Sequence, residues 1–104
     1  MPGVDFAAVR SSISMAQVLM WLDFHPHCGF GDQWRGPCPV HGSGSPDSTS
    51  FSVNLVTHRY QCFRCGSFGN QVELWAAVHG LTFYQVAVEL CQRANLPIPW
   101  ITRW

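Results

Sequence analysis

Lysine is absent from this chain of 104 residues, and charged residues of every kind make up only 12% of it. Six arginines balance six acidic residues, so the formal net charge at pH 7 is zero. This composition excludes a broadly basic surface that would attract nucleic acid over long distances. If the chain binds nucleic acid, it must do so through a local patch of arginines.

Long apolar runs are also missing, because none approaches the roughly 20 residues that a membrane-spanning helix requires. The first residues, Met-Pro-Gly-Val-Asp, lack the basic and apolar regions of a secretion signal. Nearly half of the chain (47%) is nevertheless hydrophobic, which is typical of a folded domain. We therefore expect one domain over residues 1–104, in the cytoplasm or at the nucleoid, with neither a membrane nor a small-molecule substrate as its partner.

Two short motifs contain three of the five cysteines and indicate metal binding in a reducing compartment rather than disulfides. Cys38-Pro-Val-His41 and Cys62-Phe-Arg-Cys65 each place two ligand side chains in one tight turn. Residues 42–61 lie between the motifs and suffice for a β-hairpin that brings the turns together. Four nitrogen and sulfur ligands predict one structural Zn²⁺ in tetrahedral geometry, with no open position for catalysis.

Two other interpretations of these motifs are weaker. A redox Cys-x-x-Cys pair normally opens a helix within an α/β unit, whereas Cys62 and Cys65 follow a predicted strand and precede Gly66. Iron in a rubredoxin-like site prefers four thiolates, and this set includes a histidine.

The other histidines and cysteines receive no ligand role. A second cluster lacks an identifiable fourth ligand and is expected to consist of surface residues: His25, His27 and Cys28. Cys91 lies on an apolar stripe and should be a buried thiol. His58 is expected to be solvated in a hairpin turn, and His79 to be a core or capping residue.

Capping motifs predict three helices. Ser14, Asn70 and Thr82 each precede a run with helical hydrophobic spacing, and each has a Gln or Glu three residues later. Pro26 would end the first helix and Gly80 the second. A weaker pattern before residue 14 would add a short turn of helix.

Strand signals lie between these helices. Residues 51–55 alternate between apolar and polar, and residues 59–63 are the expected hairpin partner, with a turn near 56–58. Residues 42–47 form a loop by composition. The chain is thus divided into an N-terminal helix region, a metal core, a C-terminal helical pair and a short apolar tail: 1–28, 33–69, 70–95 and 96–104.

The segments around these motifs resemble a known family. Trp34-Arg-Gly-Pro-Cys-Pro-Val-His41, Ser50-Phe-Ser-Val-Asn54 and Tyr60-Gln-Cys-Phe-Arg-Cys-Gly66 are similar to the N-terminal zinc-binding domain of bacterial DnaG-type primases. The resemblance extends over residues 14–97. It implies an α+β zinc ribbon, in which about three to four helices flank an antiparallel sheet of three to five strands.

The resemblance also carries implications for the site and for activity. The family's metal ligands correspond to Cys38, His41, Cys62 and Cys65. In such primases this domain contacts single-stranded template, and polymerisation belongs to a separate Toprim domain. We therefore expect no catalytic residues in this chain and no enzymatic activity of its own.

Single-stranded DNA is typically held by aromatic side chains and cations along a groove. The candidate contacts in this chain are Trp34, Arg35, Arg59, Phe63 and Arg64. Strand alternation places Tyr60 on the same side as Cys62, so Tyr60 is expected to face inward.

The sequence therefore predicts a zinc-dependent accessory module that binds single-stranded DNA. Its protein partner would be a primase, a helicase or a transposition protein, in replication priming or mobile-element DNA processing. The alternative is a protein-interaction adaptor that keeps the fold without significant DNA binding. Neutral charge, the missing lysines and the apolar Trp100 and Trp104 favour this alternative.

Overall fold

The computed structural model describes residues 3–41 and 49–101, and within these ranges it contains four helices and seven strands. The helices are α1 Phe6–Ser12, α2 Met15–Trp21, α3 Gln71–His79 and α4 Phe83–Arg93. The strands are β1 Gly3–Val4, β2 Cys28–Phe30, β3 Gln33–Gly36, β4 Phe51–Asn54, β5 Arg59–Cys62, β6 Phe68–Asn70 and β7 Trp100–Ile101. The predicted α+β class is confirmed. None of the helices in the described ranges is long and apolar enough to cross a membrane.

Helix α2 begins at the predicted capping box. The Ser14 hydroxyl accepts a hydrogen bond from the Gln17 backbone N–H (3.1 Å), and Gln17 Oε1 accepts one from the Ser14 N–H (2.9 Å). The helix ends at Trp21, earlier than the predicted end at Pro26. Asp23 takes a left-handed conformation (φ 56°), which turns the chain away before the proline is reached.

The two later helices begin at their predicted capping residues, and α3 also ends where predicted. Asn70 and Glu73 form one reciprocal capping box, and Thr82 and Gln85 form another. Gly80 ends α3 in the left-handed region (φ 66°), where a residue without Cβ meets no steric penalty.

Five strands form one antiparallel sheet in the order β2-β3-β4-β5-β6. The predicted hairpin is confirmed, with Phe51 opposite Cys62 and Asn54 opposite Arg59. Strands β2 and β6 were not predicted, because three-residue strands are too short for alternation to be visible. The loop predicted at residues 42–47 lies outside the described residues.

The register divides the sheet into an inner and an outer face. Phe51, Val53, Tyr60 and Cys62 are buried on the inner face and contribute to the core. The Tyr60 ring stacks on Phe51 at 5.6 Å between centroids, and its hydroxyl shares a 2.7 Å hydrogen bond with Ser67. The inward orientation predicted for Tyr60 is therefore confirmed. The buried residues of the four helices belong to the same core as the inner face. The helices therefore pack on the inner face and leave the outer face uncovered.

A second, two-stranded sheet joins the two ends of the described chain. Val4 in β1 pairs with Trp100 in β7, and the Asp5 backbone N–H donates to the Pro99 carbonyl at 2.8 Å. The apolar tail is therefore partly a strand, although Trp100 remains 43% exposed. Trp104 lies outside the described residues.

The structure corrects the prediction for His58 and one of the two alternatives for His79. His58 is not simply solvated, because its Nδ1 accepts a hydrogen bond from the Met15 backbone N–H (3.0 Å) at the start of α2. Of the two roles expected for His79, the core role is wrong because the residue is exposed, although its ring centroid lies 4.4 Å from that of Trp75. His79 lies in the last turn of α3, the position that the capping role requires. Cys91 is buried, as predicted.

Candidate metal centre and nucleic-acid interface

The sheet register brings the two cysteine motifs to the same end of the sheet. Gly36, the last residue of β3, pairs with Phe51, which in turn pairs with Cys62 at the end of β5. Cys38 therefore leaves β3 beside the point where Cys62 ends β5. Antiparallel pairing across β4 is what allows residues so distant in sequence to meet.

The four candidate ligand atoms lie close together. Cys38 Sγ is 3.9 Å from Cys65 Sγ, and Cys62 Sγ is 3.6 Å from His41 Nδ1. All four ligand atoms lie within 4.8 Å of one another. In a tetrahedral zinc site with Zn–S near 2.3 Å and Zn–N near 2.0 Å, the corresponding separations are about 3.8 and about 3.5 Å. These side chains therefore fit zinc in their present arrangement.

The turn after β5 prepares Cys62 to act as a thiolate. The backbone N–H groups of Arg64 and Cys65 donate to Cys62 Sγ at 3.4 and 3.3 Å. Burial by itself raises the pKa of Cys62, but these two backbone donors, together with hydrogen bonds from the Cys65 and Cys38 thiols, lower that pKa below its ordinary value. Gly66 closes the turn with φ 79°, and its N–H donates to the Cys62 carbonyl at 3.0 Å.

The pKa of Cys38 is shifted in the opposite direction. It is only 1% exposed, and burial raises the pKa of its thiol. A divalent cation beside it would offset that burial cost, because a coordinating thiol is deprotonated by the metal. The redox alternative fits less well, since Cys62 ends strand β5 and Cys65 lies in the turn that follows, not at a helix N-terminus.

The second histidine and cysteine cluster does not form a comparable group. His25 Nε2 lies 3.1 Å from Asp23 Oδ1, and both of these side chains are exposed. Cys28 is exposed in edge strand β2. This agrees with the prediction that these are surface residues.

Most of the predicted nucleic-acid contacts lie on or beside the outer face of the sheet. Arg35 shares a row with Ser52 and Gln61, and Arg59 occupies the adjacent outer row opposite Asn54. Arg35 donates twice to the Thr49 carbonyl (3.1 and 2.7 Å). These bonds fix its guanidinium in place.

The turn after β5 supplies the other two predicted contacts. The Arg35 guanidinium lies 5.1 Å from the centroid of the Phe63 ring, which is 60% exposed. Arg64 is also exposed. Trp34 does not join this group, because it pairs with Val53 in the inner row and packs against the core.

Two exposed aromatic residues on this face were missed by sequence reasoning. Phe30 in β2 is 90% exposed and Phe68 in β6 is 69% exposed. The register places Phe30 in the row of Gln33 and Phe68 in the row of Gln61, so they lie at opposite edges of the same outer face. Recognising the two short edge strands would have been necessary to find them.

The fold and the converging Cys-His-Cys-Cys group define a zinc ribbon, and comparison with known proteins identifies the family. The family model described as the CHC2 zinc finger, the zinc ribbon of DnaG, matches residues 8–103. This chain therefore belongs to the CHC2 zinc finger family of DNA primases.

Similar proteins agree with this assignment. DNA primase from Halalkalibacterium halodurans is 38% identical over 69 residues, which cover 66% of this chain and 11% of that protein. DNA primase from Escherichia coli K12 is 33% identical over 70 residues, 67% of this chain and 12% of that protein. The structure of Aquifex aeolicus primase, with its zinc-binding and RNA polymerase domains, matches with a TM-score of 0.71 at 24% identity. That match covers 89% of this chain and 22% of the Aquifex chain.

This chain corresponds to a small part of each of these primases. The matched region spans only 11% and 12% of the two DNA primases named above. The similarity thus concerns one part of a primase, and the Aquifex structure supports the fold of that part.

Proposed function

We propose that this chain is a non-enzymatic, zinc-dependent module that binds single-stranded DNA in replication priming or mobile-element DNA processing. The observation that carries the proposal is the outer face of the sheet. There, exposed Phe30 and Phe68 flank Arg35 and Arg59 on a primase-family zinc ribbon. We place its action in the cytoplasm, with a primase, helicase or transposition protein supplying the chemistry.

In this proposal one zinc ion is held by Cys38, His41, Cys62 and Cys65 and has a structural role. Three thiolates and one divalent ion leave about one negative charge at the site. The protein supplies all four ligands, so no position remains for a reacting water or substrate. The ion would join the end of β3 to the turn after β5 and so hold Phe63 and Arg64 beside the sheet.

The outer face offers the two kinds of contact that single strands need. Bases stack on exposed aromatic rings, each stack contributing about 1–3 kcal/mol. Arginines contact phosphates, and Arg35 is already oriented by the Thr49 carbonyl and the Phe63 ring. A pre-oriented guanidinium loses less side-chain freedom when it binds. In this proposal the neutral chain binds a single strand through this local patch.

The experiment is a titration of a fluorescent oligothymidylate at about 50 and about 200 mM salt. We expect binding that weakens with salt, and weaker binding for Arg59→Ala and Arg64→Ala. Each lost phosphate contact should reduce the salt slope by roughly 0.7. Gln92→Glu, at an exposed position of α4, changes the net charge by the same amount away from the sheet, and it should leave binding unaltered.

Absence of binding by the wild-type protein at the lower salt concentration would refute this function. The protein-interaction adaptor would then be the function to pursue. If Arg59→Ala and Arg64→Ala weaken binding no more than Gln92→Glu does, the assignment of the DNA-binding surface is refuted. The change in net charge alone would then account for the loss of affinity.

A further inference from the structure

A polar cleft lies beside the sheet, away from the metal centre. It has a volume of about 540 Å³ and is formed by the end of α1, the turn between β4 and β5, and the start of α3. The side chains that matter here are Arg10, Ser11, Thr57, Arg59, Asn70 and Gln71. Neither the zinc ligands nor the predicted DNA contacts other than Arg59 line it.

Two arginines line this cleft without acidic partners. Within the described ranges the one ion pair is that of His25 with Asp23, so the Arg10 and Arg59 guanidinium groups are not neutralised by carboxylates. None of the lining residues is acidic. Glu73 keeps its negative charge but lies in a neighbouring cleft, which shares Arg10 and Asn70, and it does not line this one. The cleft therefore concentrates positive charge in a chain of zero net charge.

Gln71 holds the two helical walls of the cleft together. It is only 1% exposed, and its Nε2 donates to the carbonyls of Arg10 (3.0 Å) and Ile13 (2.8 Å). These bonds fix the backbone that carries Arg10 relative to the start of α3. We assign Gln71 Oε1 no contact with a ligand, because an acceptor oxygen would repel an anion.

The cleft is continuous with the outer face of the sheet. Asn54, Arg59 and Asn70 pair side by side across β4, β5 and β6 in the same outer row as Phe30. Arg59 and Asn70 also line the cleft. A strand that crosses the sheet along this row would thus meet the cleft.

We propose that this cleft binds a backbone phosphate of the same single-stranded DNA, held between Arg10 and Arg59. The inference rests on the proposed function and extends the DNA path beyond the sheet to α1. Arg10 then becomes a nucleic-acid-contacting residue, and the Asn70 side-chain amide is an additional neutral donor. Phosphodiester oxygens are suited to this arrangement because arginine can donate two parallel hydrogen bonds to them.

The test compares Arg10→Ala with Gln92→Glu in the oligothymidylate titration, using oligonucleotides with 5′-hydroxyl ends. The same titration is repeated with 5′-phosphate ends and with inorganic phosphate as a competitor. We expect Arg10→Ala to weaken binding by about three- to tenfold at about 50 mM salt and to reduce the salt slope by roughly 0.7. Arg10→Lys should recover part of the affinity and most of the slope. Thermal melting of each variant verifies folding, and Arg10→Gln serves as a second neutral variant if alanine alters the melting temperature.

The outcomes separate this inference from the proposed function. If wild-type protein binds and Arg10→Ala binds equally well, the cleft assignment is overturned while the sheet surface stands. The cleft assignment would also be overturned if Arg10→Ala lost affinity only for oligonucleotides with a 5′-phosphate and inorganic phosphate competed with them equally well. The cleft would then bind a terminal or free phosphate. If the wild type does not bind single strands at all, the proposed function itself fails.

Discussion

Replacing Cys62 should test the metal centre most directly, because the same fold offers a matched control. Cys62 and Cys91 are both buried thiols, at 0% and 2% exposure. Only Cys62 lies in the group of four candidate ligands, 3.6 Å from His41 Nδ1. Cys62→Ala and Cys91→Ala therefore each remove one sulfur atom from an equally buried position. Only the sulfur of Cys62 has a proposed metal contact.

The expected magnitudes differ severalfold. Structural zinc in small domains contributes about 10–16 kcal/mol of apparent binding free energy, so one ligand in four corresponds to roughly 2.5–4 kcal/mol. Total folding stability is only about 5–15 kcal/mol, so this loss would be large. Removing one buried atom at Cys91 should cost about 1 kcal/mol. The melting temperature should therefore fall by more than about 10 °C in Cys62→Ala and by about 4–8 °C in Cys91→Ala.

The assay measures zinc per chain by elemental analysis and unfolding by circular dichroism. We expect one zinc per chain in wild type and in Cys91→Ala, and less than one in Cys62→Ala. Adding a chelator should destabilise the wild type and Cys91→Ala, and excess zinc should restore them. The reasoning is refuted if protein purified without chelators contains no zinc, or if the two variants lose equal stability and retain equal zinc.

Three further predictions concern the surface and the helix ends. Phe68→Ala should weaken single-stranded DNA binding by about 1–3 kcal/mol with an unchanged melting temperature, since the ring is 69% exposed; unchanged affinity in the titration would remove it from the surface. Thr82→Ala should cost about 1 kcal/mol in denaturant unfolding, because its hydroxyl accepts the Gln85 N–H at 3.2 Å, and Thr82→Ser should restore most of that loss. Gly80→Ala should cost about 1–2 kcal/mol through its φ of 66°, since no atom lies within 4 Å of the added Cβ; a stability equal to wild type would contradict the helix end described above.

The local features of this protein were readable in its sequence. Ser14, Asn70 and Thr82 carry their own capping partners three residues away, so the helix starts follow from short-range hydrogen bonding. The two ligand motifs likewise show their chemistry and spacing without any tertiary information. Strand alternation was sufficient to place Tyr60 inward and Arg59 outward.

Long-range contacts were decided only by the tertiary structure. His58 meets the start of α2, 43 residues earlier, and no local pattern encodes that hydrogen bond. Phe30 and Phe68 share a face because two three-residue strands pair at opposite edges of one sheet. Arg10 and Arg59 line one cleft because α1 packs beside the hairpin turn. Capping and alternation depend on neighbours within a few residues, whereas these surfaces depend on sheet register and helix packing, which bring together residues that are distant in sequence.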